Sequence, residues 1–485
     1  MSLKQKTIAG AFWVVSERFT LQGIQFIISI MLARILMPEE FGLIGMITIF
    51  LAIAQSLTDS GLASSLIRTK DPDQVDYSTV FVFNIGGSII IYGLVFLLAP
   101  LIAQFYERGI LTGLIRVLGL MIITNSLGSV QNAQFTRSMD FRTLFIIQIP
   151  AVVISGIVGV MMAKNGYGVW SLVYMQLIGN VVTLVFLWLR SSWRPSFVFS
   201  MPRFKRHIAF GFNMTLSSIL NSIFDDIYNI VVGKYFSATQ LGYYTRANSL
   251  KQLPVSNIAS AINKVTFPLF SQMQDDNLRL RLAYKKMMQQ VTFWVAPVLI
   301  GMGVISYPLF RLMFTEKWLP SVPYFQLLVV VGIMYPLHGY NLSVLQVKGR
   351  SDLVLRLEII KKIIIVISVV VAIPYGIYGL LYSQIVLTFL IFFINSYYTG
   401  RFINYYVIEQ VRDLLPVIAL AVSMGALCYF ADSLIVLWPD VLRVTLIAFL
   451  GSVFYFFISY IIKLDPFFVF IDVLRDLKIK YDTRN

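Results

Sequence analysis

One cysteine, two histidines and few charges set the first limits on this 485-residue chain. Cys428 has no second cysteine to join, which excludes an intramolecular disulfide and any CxxC metal or redox motif. It is expected to pack as a small apolar residue. His207 and His338 leave little for imidazole-based metal binding, and no metal or other cofactor is expected. The GxxxxGK[ST] and HExxH patterns are missing, so ATP hydrolysis at a phosphate loop and zinc-peptidase chemistry are not expected of this chain. Acidic side chains are also scarce, 24 against 39 Lys and Arg, which leaves a net charge of +15. Charged residues make up only 13% of the chain and hydrophobic residues 58%, with a mean hydropathy of +0.77. That balance lies outside the range of a soluble globular chain.

Membrane spans of about 20 residues each fit many times into this length, but not beside a large soluble domain. The apolar stretch from about Ile8 to Leu36 follows Lys4 and Lys6, as a signal peptide would. It lacks an A-x-A-type cleavage site and contains Glu17 and Arg18, so a retained first span is expected. Apolar runs and polar breaks predict fourteen spans. Six lie near 9–33, 41–67, 77–103, 111–133, 143–163 and 167–189. Six more lie near 208–232, 240–263, 288–310, 321–345, 353–373 and 376–398, and two near 414–431 and 441–462. The expected fold class is an all-α polytopic membrane protein. Residues 1–195 and 196–400 form two six-helix bundles, and 401–485 add two transmembrane helices and an amphipathic tail.

Charge placement agrees with this map. With the N-terminus inside, the inner segments hold twenty-five Lys and Arg and the outer loops six: Arg34, Arg108, Lys164, Lys234, Arg311 and Lys317. This is the positive-inside asymmetry. It places both termini in the cytosol and turns the basic surplus toward anionic lipid, so nucleic acid is not needed as a partner. Two amphipathic segments, Asp275 to Gln290 and the tail from Phe467 to Leu477, are expected to lie at the inner leaflet.

Two phrases recur. Arg34-Ile35-Leu36 with Phe41-Gly42 returns as Lys234-Tyr235-Phe236 with Leu241-Gly242. Tyr167-Gly168-Val169-Trp170 with Tyr174 and Gln176 returns as Tyr375-Gly376-Ile377-Tyr378 with Tyr382 and Gln384. The chain therefore reads as two related membrane halves. Six spans is an even number, so the halves share orientation and a pseudo-two-fold axis stands along the membrane normal.

Ionisable groups inside spans cost about 2.5 to 3.5 kcal/mol each on the insertion scale and face partners or water. Arg18, Gln22, Gln25 and Ser29 fall on one face of the first span. On the seventh, Ser218, Asn221, Ser222, Asp225 and Asn229 do the same. A central cavity is expected where both stripes turn inward, with interhelical hydrogen bonding as the competing explanation. Hairpin depth groups Arg18 with Glu17 and Asp59, and Arg246 with Asp225 or Asp226, as ion-pair or coupling clusters. Structural pairing and function compete there. Lys251 has no acidic neighbour in sequence, and a cavity holding Arg18, Arg246 and Lys251 would attract phosphate. Lys361 and Lys362 follow Glu358, where snorkelling is the simpler explanation. Asp71-Pro72-Asp73 is formally the DxD of sugar transferases, but a helix-start turn accounts for it better.

The opening from Ser2 to Trp13 resembles the Wzx-type polysaccharide exporters, in particular their colanic-acid branch. So do Leu32-Ala33-Arg34-Ile35-Leu36 with Phe41-Gly42-Leu43, Asp59 to Ile67, Phe267-Pro268-Leu269-Phe270, and Glu316-Lys317-Trp318 with Gln326-Leu327-Leu328. The likeness covers most of the chain to about residue 400. It implies membership of the multidrug, oligosaccharidyl-lipid and polysaccharide exporter superfamily, with two bundles around a V-shaped cavity worked by alternating access. It also implies translocation of an undecaprenyl-diphosphate-linked oligosaccharide across the bacterial cytoplasmic membrane for polysaccharide biosynthesis. Membrane lipid, a polysaccharide polymerase and chain-length machinery are the further partners to be expected. Cationic residues on the first and eighth spans are typical of related lipid-diphosphate flippases, and Arg18 and Arg246 match those spans. With Lys251, Gln22, Gln25 and Asn221 they form the expected substrate-binding set. No catalytic residue is expected. The rivals are a cation-coupled multidrug exporter of the same superfamily and a membrane transferase or polymerase acting on the lipid carrier. The first would depend on Asp59 or Asp225; the second would need a large outer loop that the map lacks.

Overall fold

The computed structural model describes the backbone of residues 3–59 and 61–482. Within that range the side chains of 3–12, 14, 15, 18, 59, 209–214, 217, 261, 263–265, 267, 268, 473, 474 and 476–482 lie outside the described part. Arg18 and Asp59 are among these. No strand occurs among the described residues.

Two compact units divide the chain, Met1–Gly242 and Tyr243–Asn485. The first holds α1 (Leu3–Ile35), α2 (Pro38–Asp59), α3 (Leu62–Arg68), α4 (Gln74–Phe105), α5 (Ile110–Arg137), α6 (Phe141–Lys164), α7 (Val169–Arg190), α8 (Met201–Asp225) and α9 (Ile227–Tyr235). It also holds the first turn of α10 (Ala238–Gln272), which continues into the second unit. There follow α11 (Asn277–Val304), α12 (Ser306–Phe314), α13 (Ser321–Val347), α14 (Ser351–Ala372), α15 (Gly376–Ile403), α16 (Val407–Leu434), α17 (Asp440–Ile461) and α18 (Asp465–Asp482).

Fourteen rods match the fourteen expected spans, although three are broken: α2 with α3, α8 with α9, and α11 with α12. Ten segments among the described residues are long and apolar enough to cross a membrane, one of them the α14–α15 pair Ser351–Ile403. The chain is thus a multi-pass membrane protein. The three rods that carry the candidate binding residues, α1, α8 and α10, each include side chains outside the described part, and the described apolar stretch of α1 is Phe19–Ile35. Leu97, Val370, Leu415 and Phe449 stand well exposed on α4, α14, α16 and α17, as lipid-facing side chains do.

Helix starts follow local rules. Asp73, Asp140 and Asp276 cap α4, α6 and α11, accepting from backbone N–H groups of Asp76, Thr143 and Leu278 at 2.9, 3.1 and 3.1 Å. The Asp73 and Asp76 carboxylates satisfy each other's backbone N–H reciprocally, so the DxD is a capping turn. Gly168 and Gly376, the repeated glycines, begin α7 and α15 with φ of 55° and 74°, a left-handed turn that a side chain would strain. The repeat phrase is therefore a helix-start device. One expectation fails: residues 277–290 are not a separate interfacial helix but the first turns of α11, because no breaker separates them from the span that follows.

In the second unit α11, α16 and α17 build a core around Phe293, Met424, Cys428 and Tyr455. Tyr455 donates to the Phe293 carbonyl at 3.0 Å, and Cys428 is buried. Arg443 grips Asp432 with two donors at 2.7 and 3.0 Å, and Arg311 holds Asp440 at 2.6 Å. The last two spans are therefore locked onto α11 and α12. The tail helix α18 leans on the same group, Phe470 lying 5.0 Å from Trp294 between ring centroids.

Candidate functional site

Within the first unit the polar face of α1 meets α6 and α7. A cavity of about 570 Å³ opens there, bordered by Gln25, Ser29, Gln148, Gln176, Asn180 and Thr183 among apolar neighbours. A second cavity of about 470 Å³ lies among α2, α3, α5 and α7, and Asn180 and Thr183 border it as well. Between them runs a chain of amides. Asn125 Nδ2 donates to Gln55 Oε1 at 2.8 Å, Asn180 Nδ2 donates to Asn125 Oδ1, and Thr124 Oγ1 donates to Asn180 Oδ1. No charged side chain of the described residues borders either cavity.

Of the expected residues in this unit, Gln25 borders the larger cavity, while the Gln22 Oε1 is buried without a hydrogen-bond partner. Glu17 is half-buried on α1. Its expected partners, Arg18 and Asp59, lie outside the described side chains. Asn221 and Asp225 stand on the exposed side of α8. Asp226 sits at the α8–α9 break and accepts from Asn229 Nδ2 at 2.6 Å.

In the second unit α10 brings two cations out of water. Arg246 is buried, its guanidinium 5.0 Å from the ring centroids of both Phe314 and Trp318. At that distance both rings attract the cation. Lys251, one and a half turns further on, is 7% exposed, and no acidic side chain of the described residues pairs with it. Its stem lies over α13 at Gly332, where a Cβ would fall 2.9 Å from Lys251 Cγ. Lys361, by contrast, is paired with Glu358. An apolar cavity of about 370 Å³ between α11, α16 and α17 is lined by Trp294, Pro297, Met424 and Tyr455.

A buried ionic cluster escaped the sequence reading. Asp76, fully buried, accepts from Arg203 Nη1 at 2.9 Å and lies 3.3 Å from His207 Nε2; His207 Nδ1 lies 2.8 Å from Ser65 Oγ. Arg203 also donates to Asp73 at 2.9 Å. The Asp73 carboxyl is held below its usual range, first by the Asp76 backbone N–H and then by the Arg203 charge. The sequence signal was a histidine directly after the basic loop and an acid at the third position of α4. Only packing joins residues 131 apart.

Fold and site together define a helical multi-pass membrane protein with a chamber lined by polar, uncharged side chains among the described residues of one unit and buried cations in the other. Residues 31–323 match the family described as polysaccharide biosynthesis protein, and the chain belongs to that family. It is 29% identical over 405 residues to the lipopolysaccharide biosynthesis protein WzxC of Escherichia coli (strain K12), across 81% of this chain and 82% of that one. It is 28% identical over 357 residues to the teichuronic acid biosynthesis protein TuaB of Bacillus subtilis (strain 168), across 73% of each. Among solved structures the fold is similar to that of the lipid II flippase MurJ in an inward closed conformation. The TM-score is 0.76 at 14% identity, over 93% of this chain and 99% of that one.

Proposed function

We propose that this protein carries an undecaprenyl-diphosphate-linked oligosaccharide from the inner to the outer leaflet of a bacterial cytoplasmic membrane, as a carrier without catalytic chemistry. Family membership supports the polysaccharide setting. The observation that carries the reading is the pair of buried cations on α10. A lysine taken from water without an acid is costly, and that cost is offset when an anion arrives. Lys251, buried with no acidic partner among the described residues, meets this condition. Arg246 lies beside the rings of Phe314 and Trp318. Its fork matches two phosphate oxygens, and Lys251 adds a point charge for the second phosphate. Arg18 joins them in this reading as the cation of the first span. The uneven distribution of Lys and Arg supports cytosolic termini.

Reconstituted vesicles carrying a labelled lipid-linked oligosaccharide in both leaflets test the proposal. The wild type should make the inner-leaflet label accessible to an external lectin, while an Arg246→Ala, Lys251→Ala double variant should not. Transfer at the wild-type rate by that double variant would remove the phosphate-binding role.

A further inference from the structure

The chamber of the first unit has a chemistry that a diphosphate does not call for. Gln25, Gln148 and Gln176 come from α1, α6 and α7 and border one cavity, and none makes a hydrogen bond to protein among the described residues. Gln384, which occupies the place of Gln176 in the second repeat, instead donates to Tyr244 at 3.2 Å. Three amides thus keep donors and acceptors turned to a space of about 570 Å³, a usual size for a ligand site. Each possible occupant meets a different fate there. Among the described residues an anion finds no cation there and an organic cation no carboxylate, and an aliphatic chain leaves three amides without partners. A sugar hydroxyl donates and accepts, as a primary amide does, so the two satisfy one another in either sense. Apolar walls such as Leu32 and Leu172 suit the C–H faces of a sugar ring.

We infer that this chamber is a sugar subsite, taking uncharged residues of the oligosaccharide and selecting among repeat units. The inference rests on the flippase reading above but concerns residues other than the cations of α10. The full chain in lipid nanodiscs tests it with two probes, undecaprenyl diphosphate alone and the same lipid bearing the host's oligosaccharide.

Wild-type protein should bind the glycosylated probe more tightly. The Gln25→Leu, Gln148→Leu, Gln176→Leu variant should lose about tenfold or more for that probe and stay within about twofold for the bare lipid, given what several hydrogen bonds contribute. Arg246→Ala should weaken both. Equal wild-type affinity for the two probes, or a triple variant weakened for neither or for both alike, overturns the subsite. Wild-type protein that binds neither probe overturns the flippase reading instead. Should the triple variant accumulate poorly, Gln176→Glu keeps the length and removes the donors. It should unfold at the wild-type temperature yet bind the glycosylated probe several-fold more weakly, and undiminished binding overturns the proposal.

Discussion

Gly42 and Gly242 meet at the starts of α2 and α10. A Cβ on Gly42 would fall 1.7 Å from the Ala238 carbonyl oxygen, and one on Gly242 would fall 1.9 Å from that of Pro38. The contact is reciprocal, each glycine resting on the carbonyl four residues before the other, with the same offset of 200 that separates the repeated phrases. Self-complementary contacts of this form arise about a two-fold relation. The same phrase therefore supplies both surfaces of one helix crossing.

Because both obstructing atoms are backbone, neither can turn aside. Gly42→Ala and Gly242→Ala should each lower stability by about 1–3 kcal/mol, the usual cost of overpacking. The double variant should cost less than the sum, since one displacement relieves both clashes. Thermal unfolding of the purified protein in detergent would show it, and additive shifts would count against the shared contact.

Topology comes next. Lys205, exposed in the first turn of α8, and Asn165, exposed at the α6–α7 turn, stand at opposite ends of their rods. In a Cys428→Ser background, Lys205→Cys should react with a membrane-impermeant maleimide only after the cells are opened. Asn165→Cys should react in intact cells. The reverse pattern would invert the proposed orientation and with it the direction of transport.

For the cations, Arg246→Ala should abolish polymer export in cells while the protein still accumulates, whereas Arg246→Lys should retain part of it. Charge survives in the lysine variant but the two-pronged fork does not. Phe314→Leu with Trp318→Leu should resemble the lysine variant, since the cation remains and the rings beside it are lost. Normal export by a well-expressed Arg18→Ala, Arg246→Ala double variant would eliminate the phosphate clamp.

The Asp76 cluster is expected to be structural. Asp76→Ala removes the buried carboxylate that Arg203 and His207 share and leaves Arg203 only the exposed Asp73, a loss of about 1–3 kcal/mol. Protein abundance should fall sharply, and Arg203→Met in the same chain should restore part of it. Loss of transport at unchanged abundance would instead assign the cluster to the transport cycle.

Sequence alone determined what a bilayer enforces in one dimension. A span needs a fixed apolar length, and charges sort to one side of it, so the fourteen rods were legible, as were the polar faces of α1 and α8 and the cations of α10. The repeated Tyr-Gly phrase was legible for a similar reason, because a left-handed turn before a helix selects glycine wherever it sits. The rod breaks, such as that at Asp226, were not legible, since each lies inside a stretch whose overall apolarity reads as one span. Nor was the company each polar group keeps. Arg246 meets Phe314 and Trp318, Asp76 meets His207, and Gln25 shares a cavity with Gln148 and Gln176. These neighbours are set by how helices rotate and pack against one another, and a linear pattern of polarity does not encode that rotation.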